Sequence, residues 1–174
     1  MTLLKAITKK LALLFAKPEI NAAQAWLAEG LEATHAFWMY ATPVNMQLGR
    51  DSYFLTDPAT TLITREEHVS LLESLNAHFA GLGYAFYQVN DVWFLGVDKD
   101  PDITATPIGL VKNQDIGPYL PQGEGALEWN KLQNEIQMLL FSHPVNEARE
   151  AKGQPVINSL WCYGLGKAFI MAAD

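Results

Sequence analysis

The stretch YAFYQVNDVWFLGV, residues 84–97, constrains the fold most tightly, because it has the pattern of two strands joined by a two-residue turn. Aromatic and β-branched residues dominate both arms, and Asn90-Asp91 suits a turn that needs positive φ. Such a turn sets the register, so that Val89 faces Val92. The aromatic side chains are expected to cover a hydrophobic core, with a stacking platform for a ligand as the alternative.

Further strands and several helices complete the expected fold. The segment ITREEHVSLLESLNAHFAGLG is the clearest helix, since Thr64 and Glu67 form a capping box before its apolar positions. Its buried stripe is predicted to consist of Val69, Leu72, Leu75 and Phe79. Strands are predicted near residues 36–41, 44–48, 84–89, 92–97 and 157–162. The prediction is therefore α+β: several helices packed on a mixed or antiparallel sheet of about five strands.

The whole chain, residues 1–174, is expected to form a single domain, because it has ordinary domain length and no repeat or long linker. Its first segment, residues 1–17, is predicted to be an amphipathic helix with lysines on one side and leucines on the other. Two alternatives stay open for this helix: it docks on the core, or it contacts a membrane surface or a partner.

Charge and cysteine content limit the classes of function. The formal net charge is −7, which argues against nucleic-acid binding, because phosphate backbones are held by clustered lysine and arginine. Cys162 is the single cysteine, so the chain has no internal disulfide and no cysteine metal site. No apolar run approaches the roughly 20 residues of a membrane span. These features predict a cytoplasmic protein without a metal of its own.

The predicted helix from residue 126 to 142 carries an unusual stripe of four amides, placed opposite its apolar side. The four residues are Asn130, Gln133, Asn134 and Gln137. Asparagine is a poor helix former, and exposed helix faces usually carry Lys and Glu. The stripe is a candidate interface for a protein partner or for self-association; the alternative is an ordinary wet face.

His143-Pro144 breaks this helix, and PVNEAREAK begins a second helix that Gly153 ends. The start of a helix offers free N–H groups and partial positive charge, which favour phosphate or carboxylate. His143 and Asn146 lie there, Arg149 follows one turn later, and the three form a candidate anion site for a phosphorylated small molecule. The alternative is that His143 or its neighbour caps the junction.

Residues 126–167 also contain a series of short motifs, which carry a family resemblance: NEIQMLL, HPVN, AREA followed by Gly153, and NSLW. The region resembles a segment of archaeal-type cofactor-independent phosphoglycerate mutases, and it is closer still to bacterial phosphoglycerate-mutase-like proteins. The resemblance implies the alkaline-phosphatase superfamily, in which Asp and His hold two divalent metals and a serine carries the phosphoryl group. The matching segment corresponds to the end of a domain inserted into that phosphatase core.

The chain departs from this family where the chemistry is carried. It has no acidic cluster near its start, and its four histidines are not spaced as a two-metal set. The sequence therefore predicts an insertion domain without the metal core, acting as a non-catalytic binding or interaction module with no catalytic residues. One alternative is a phosphoglycerate mutase or related phosphotransferase that uses Mn²⁺ or another divalent metal. The other is a membrane-surface regulator that acts through residues 1–17.

Overall fold

A computed structural model describes residues 20–169 of the 174-residue chain. The predicted helix over residues 1–17 lies outside these described residues. The described helices are α1 (Ala22–Ala28), α2 (Arg65–His78), α3 (Ala126–Phe141) and α4 (Pro144–Ala151). The strands are β1 (Phe37–Val44), β2 (Met46–Leu48), β3 (Tyr53–Leu55), β4 (Tyr84–Val89), β5 (Val92–Val97), β6 (Gln114–Asp115) and β7 (Ser159–Lys167).

The strands form two antiparallel sheets rather than the single sheet that the sequence predicted. The first sheet has the order β4-β5-β1-β7, and the second has the order β2-β3-β6. All pairings within them are antiparallel. The α+β class is confirmed, and the antiparallel alternative is the one that the chain adopts.

The hairpin predicted from residues 84–97 is present as β4 and β5. Val89 pairs with Val92 in the predicted register, and Asn90 has a φ of 53° at the turn. Phe86 and Leu95 are buried in the main core, so the aromatic arms do cover hydrophobic structure.

Helices cover both faces of the first sheet. On one face, α2 and α3 supply the main core together with the inward residues of the sheet. On the other face, Trp26 of α1 stacks on Trp38 of β1 with ring centroids 4.1 Å apart. The second sheet has a small core of its own, to which Trp161 of β7 also belongs. Trp161 therefore connects the two sheets through its packing.

The region around Pro43 differs from the prediction of separate strands at 36–41 and 44–48. β1 runs through Pro43 to Val44, and β2 then begins at Met46 in the second sheet. β5 pairs with β1 only as far as Tyr40, so β7 alone pairs with the segment that contains Pro43. A proline lacks the donor for a second ladder, and it is tolerated where one side of a strand is unpaired.

β7 is longer than the predicted strand at 157–162 and continues through Gly164 and Gly166 to Lys167. The register with β1 shifts between Trp38 and Tyr40, and Gly164 in this stretch has a φ of +69°. A Cβ on Gly166 would overlap the side chain of Asn21 at the start of α1. The glycines therefore allow a bulge and the close approach of α1, and they do not form a loop.

The α2 helix has the predicted Thr64–Glu67 capping box, and Leu75 and Phe79 of its predicted stripe are buried. Leu71 and Leu75 are fully buried, whereas Val69 is 47% exposed. His68 is half-buried, and its Nδ1 accepts a hydrogen bond of 2.9 Å from the indole N–H of Trp93. The packing of α2 against β5 therefore includes a polar contact that helical periodicity does not indicate.

Candidate functional site

The four amides of α3 line a groove of about 340 Å³ between α3 and the second sheet. The opposite wall contains Tyr53 of β3 and Ile116, and β7 supplies Trp161 and Cys162. Gln133 and Gln137 are partly buried in the groove, whereas Asn130 and Asn134 are exposed at its mouth. The sequence prediction that this side of α3 is distinct therefore corresponds to a concave surface. Its use as an interface stays a prediction.

The groove is uncharged. None of its lining residues among residues 20–169 is Asp, Glu, Lys, Arg or His. At the C-terminal end of α3 it continues into a smaller cavity, lined by Gln137, Tyr53 and Phe141. Phe141 is 85% exposed and Tyr53 is 48% exposed, so large apolar side chains border the amides. The groove therefore combines neutral hydrogen-bonding groups with an apolar rim.

Cys162 lies in the floor of the groove, and it is buried and unpaired. Burial raises the pKa of its thiol to about 12, while a hydrogen bond with the side chain of Gln133 acts in the opposite direction. A thiol with such a pKa stays protonated at neutral pH, so it is a poor nucleophile. Cys162 thus acts as an apolar floor residue and a hydrogen-bond partner for one amide.

The candidate anion residues lie at the junction of α3 and α4, and the structure brings all three into its buried part. His143 caps α4: its Nδ1 accepts a hydrogen bond of 3.2 Å from the backbone N–H of Val145. The proton of the neutral ring therefore lies on Nε2, which is 2.8 Å from Ser74 Oγ. Burial lowers the pKa of His143, and a hydrogen bond with the Ser70 backbone partly offsets that effect. Both ring nitrogens are thus occupied by protein groups.

Asn146 fastens the end of α3 to the chain that leads into β7. Its Nδ2 donates to the carbonyls of Leu140 and Ile157, at 2.8 and 2.7 Å, and its Oδ1 accepts from the Ile157 N–H at 2.7 Å. Asn146 is only 4% exposed. Each of its polar atoms is therefore directed at the backbone of this protein.

A second asparagine, Asn158, continues this set of bonds into the second sheet. Its Oδ1 accepts from the Met46 N–H at 2.7 Å, and its Nδ2 donates to the Met46 carbonyl at 2.8 Å. Asn45 donates to the carbonyl of Val156 at 2.8 Å. We call Asn45, Asn146 and Asn158 the asparagine junction. It connects α3, the approach to β7 and the start of β2.

Arg149 is 2% exposed and forms an ion pair with Glu67 of α2, with Nη1 and Oε2 2.8 Å apart. It also donates to the carbonyls of Pro155 at 2.7 Å and Leu62 at 3.0 Å. A shallow cavity beside it contains Lys152 but also the carboxylates of Glu66 and Glu67. Two carboxylates there oppose the approach of an anion. Anion binding by His143, Asn146 and Arg149 therefore stays a prediction, and the contacts seen at the junction are structural.

The other three histidines have partners of their own, and that of His68 is the indole N–H of Trp93. His35 lies 2.6 Å from Asp98 Oδ1 through Nδ1 and 3.0 Å from Tyr87 Oη through Nε2. His78 is 3.4 Å from a carboxylate oxygen of Glu135. Among residues 20–169, no group of three or more His, Cys, Asp or Glu side chains is placed to hold a metal ion. Between the same limits, no helix combines the length and apolar character needed to cross a bilayer.

Sequence reasoning missed the wall of the groove opposite α3. Tyr53 and Ile116 are far from α3 along the chain, and no pattern near either residue indicates where it meets α3. The position of Phe141 beside the amides could have been predicted, because it follows Gln137 by four residues and so continues the amide stripe along the same side of the helix. The amide stripe alone gave no reason to include this aromatic side chain in the candidate interface.

Two comparisons relate the chain to known proteins, and no family model matches it. A probable 2,3-bisphosphoglycerate-independent phosphoglycerate mutase of Geobacter sulfurreducens is 30% identical over 138 residues. That match covers 75% of this chain and 33% of the relative. The solved cofactor-independent phosphoglycerate mutase from Thermoplasma acidophilum aligns with a TM-score of 0.60 at 18% identity, covering 92% of this chain and 46% of that one.

The chain thus spans about a third of the length of the curated relative and under half of the solved structure. The structural match at 18% identity shows a shared fold, and the sequence match shows a relationship over three-quarters of the chain. Together they confirm the resemblance predicted from the motifs of residues 126–167. This chain is related, in sequence and in fold, to part of a cofactor-independent phosphoglycerate mutase.

Proposed function

We propose that this chain is a non-catalytic binding module, related to the insertion domain of phosphoglycerate-mutase-like proteins, whose groove holds another polypeptide. The observation that carries the proposal is the line of four amides in an uncharged groove with an apolar rim. The coverage of the comparisons supports it, because relatives of this chain continue well beyond the shared region.

The chemistry of the groove favours a polypeptide over a phosphorylated small molecule. A side-chain amide has both donors and an acceptor, which is the same combination that a peptide backbone presents. A phosphate group needs neutralisation by Lys, Arg, metal or several N–H groups, and the groove is lined by no charged side chain among the described residues. Phe141 and Tyr53 at the rim are of the residue types enriched in protein interfaces.

Photo-crosslinking in the native host tests this proposal directly. A benzophenone amino acid replaces Asn134 at the mouth of the groove, and in a matched variant it replaces Glu128 on the charged side of the same helix. Position 134 is expected to give a crosslinked polypeptide that mass spectrometry identifies, whereas position 128 is not. Equal or absent crosslinking at the two positions would refute binding of a polypeptide at the groove.

A second candidate function is phosphoglycerate mutase activity, and its only support is that both related proteins are named as such mutases. The family implies two divalent metals, and the described residues do not fit that set, since they contain no suitable cluster of His, Cys, Asp or Glu. Thermal unfolding with millimolar 3-phosphoglycerate, with and without Mn²⁺, tests whether the substrate binds at all, because a ligand of the native state must raise the midpoint. A raised midpoint together with metal-dependent turnover would support the enzyme instead of the binding module.

A further inference from the structure

The side of α3 that points furthest into solvent carries an uncharged seam. Leu127, Met138 and Phe141 on this side are 68%, 74% and 85% exposed, and the amides Asn130 and Asn134 lie between them. The five positions follow one another at intervals of three, four, four and three residues. This spacing is close to that of a helix seam that packs along another helix. We refer to these five residues as the α3 seam.

We propose that the α3 seam binds the α3 seam of a second copy of this chain, with the two helices antiparallel and the two-fold axis passing beside Asn134. This inference rests on the proposed function and names the polypeptide that the exposed amides Asn130 and Asn134 meet. In this register Leu127 packs on Phe141 of the second copy, and the two Asn134 side chains face each other. Each seam thereby covers the most exposed apolar side chains of the other.

Amides are the polar groups best suited to such a symmetric contact. At a two-fold axis a side chain meets its own copy, so a carboxylate would meet a carboxylate and an ammonium would meet an ammonium. An amide has both a donor and an acceptor, and two copies of it can therefore hydrogen-bond to each other. An asparagine that faces its own copy within a helix seam also favours one register. Asn134, at the centre of the seam, has this role.

The charge distribution is compatible with self-association of an acidic protein. Two chains of net charge −7 repel each other, so a stable contact requires an interface that adds no like charges. The α3 seam contains none. Lys131 borders the seam, where it pairs with Glu128 of its own helix at 2.6 Å. In the antiparallel register Lys131 also lies near Glu135 of the second copy, which places an opposite charge on each side of the two-fold axis, close to the centre of the contact. One helix face is a small interface, so we expect a dissociation constant in the micromolar range.

Sedimentation velocity of the full chain over a wide concentration range tests the dimer without any substitution. The expected result is a monomer–dimer equilibrium that Asn134→Asp and Asn134→Lys each weaken at least about tenfold, because each places like charges face to face. An equimolar mixture of the two variants is expected to recover the dimer as a heterodimer. Gln154→Glu, an equal charge change beyond the end of α4, should leave the equilibrium unchanged. A chain that stays monomeric at every concentration would overturn the proposal.

Disulfide trapping tests the register. Cys162 is buried, so it does not compete with an introduced, exposed thiol for oxidation. Asn134→Cys is expected to form a crosslinked dimer on mild oxidation. Leu127→Cys alone is not, because the two copies of residue 127 lie about 21 Å apart in the antiparallel register, from 14 residues at 1.5 Å each. Mixing Leu127→Cys with Phe141→Cys should restore the crosslink. A crosslink with Leu127→Cys alone would refute the antiparallel arrangement.

The failure of this inference is distinguishable from the failure of the proposed function. If position 134 crosslinks to a different protein in cells while the purified chain is a monomer, the binding module stands and self-association is wrong. If neither experiment yields a contact at position 134, both are wrong.

Discussion

Replacing Arg149 with methionine is expected to destabilise the fold strongly, because the guanidinium group is a buried connection between α4 and α2. It is 2% exposed, and it donates to the Glu67 carboxylate and to the carbonyls of Pro155 and Leu62. Methionine retains most of the apolar stem, so the loss of folding stability measures the removal of the charged head group rather than the creation of a cavity.

The magnitude follows from what each partner loses. Breaking a buried ion pair by removing one member costs about 3–5 kcal/mol, because the other charge is left uncompensated. The Glu67 side chain is 18% exposed and also accepts from the Thr64 N–H, so its charge keeps part of its solvation. The Pro155 and Leu62 residues are exposed, and water can replace the guanidinium at their carbonyls. We therefore expect a loss of about 3 kcal/mol.

Urea denaturation followed by tryptophan fluorescence measures this loss. With an m-value of about 2 kcal/mol/M, a loss of 3 kcal/mol lowers the midpoint by about 1.5 M. Lys152→Met is the matched control, since Lys152 is exposed on the same turn, and its effect should stay within about 0.5 kcal/mol. Adding Glu67→Gln, which retains a capping side chain, should cost much less in the Arg149→Met background than alone. A loss below about 1 kcal/mol for Arg149→Met would refute the structural role of this ion pair.

Three further predictions concern pH, the thiol and one glycine. Burial lowers the pKa of His68 and of His143 from the ordinary 6.5, so the unfolded chain binds protons more readily than the folded one. The free energy of unfolding should therefore be greatest above pH 6.5 and fall as the pH drops through the lowered pKa values. Urea midpoints measured across this pH range check the sign, and His143→Gln should reduce the slope. Cys162, whose pKa burial raises to about 12, should stay unlabelled by a thiol reagent at mildly alkaline pH until the protein is unfolded, and rapid labelling of the native chain would contradict its position in the core. Gly166→Ala should lower the thermal midpoint, with a cost of about 1–3 kcal/mol, because its Cβ overlaps α1, whereas Gly109→Ala, which meets no neighbour within 4 Å, should not.

Features with local causes were predictable from the sequence. The hairpin register was set by a two-residue turn, and the start of α2 by Thr64 and Glu67, each within a few positions of its partner. The break at His143 followed from the backbone restriction that Pro144 imposes. In each case the interacting groups are neighbours in the chain, so residue type and spacing are sufficient.

Features that depend on distant partners were not predictable. The second sheet is built from strands of two or three residues, which are too short to show an alternating pattern. Of the residues in the predicted anion site, His143 caps α4, Asn146 lies in its first turn and Arg149 in its last turn. Their partners, such as Glu67 for Arg149 and Ile157 for Asn146, are what determine their present role, and sequence spacing does not reveal those partners.

The asparagine junction has a consequence for the speed of recognition. Asn146 connects the end of α3 to the approach to β7, and Asn158 connects that approach to β2. The two walls of the groove are therefore joined by hydrogen bonds between asparagine side chains and the backbone, and those of Asn146 are buried. The groove is therefore preorganised, and a partner that enters it need not order its walls first. Association should then proceed in one kinetic phase, with a rate that rises linearly with partner concentration and shows no plateau from a slow opening step.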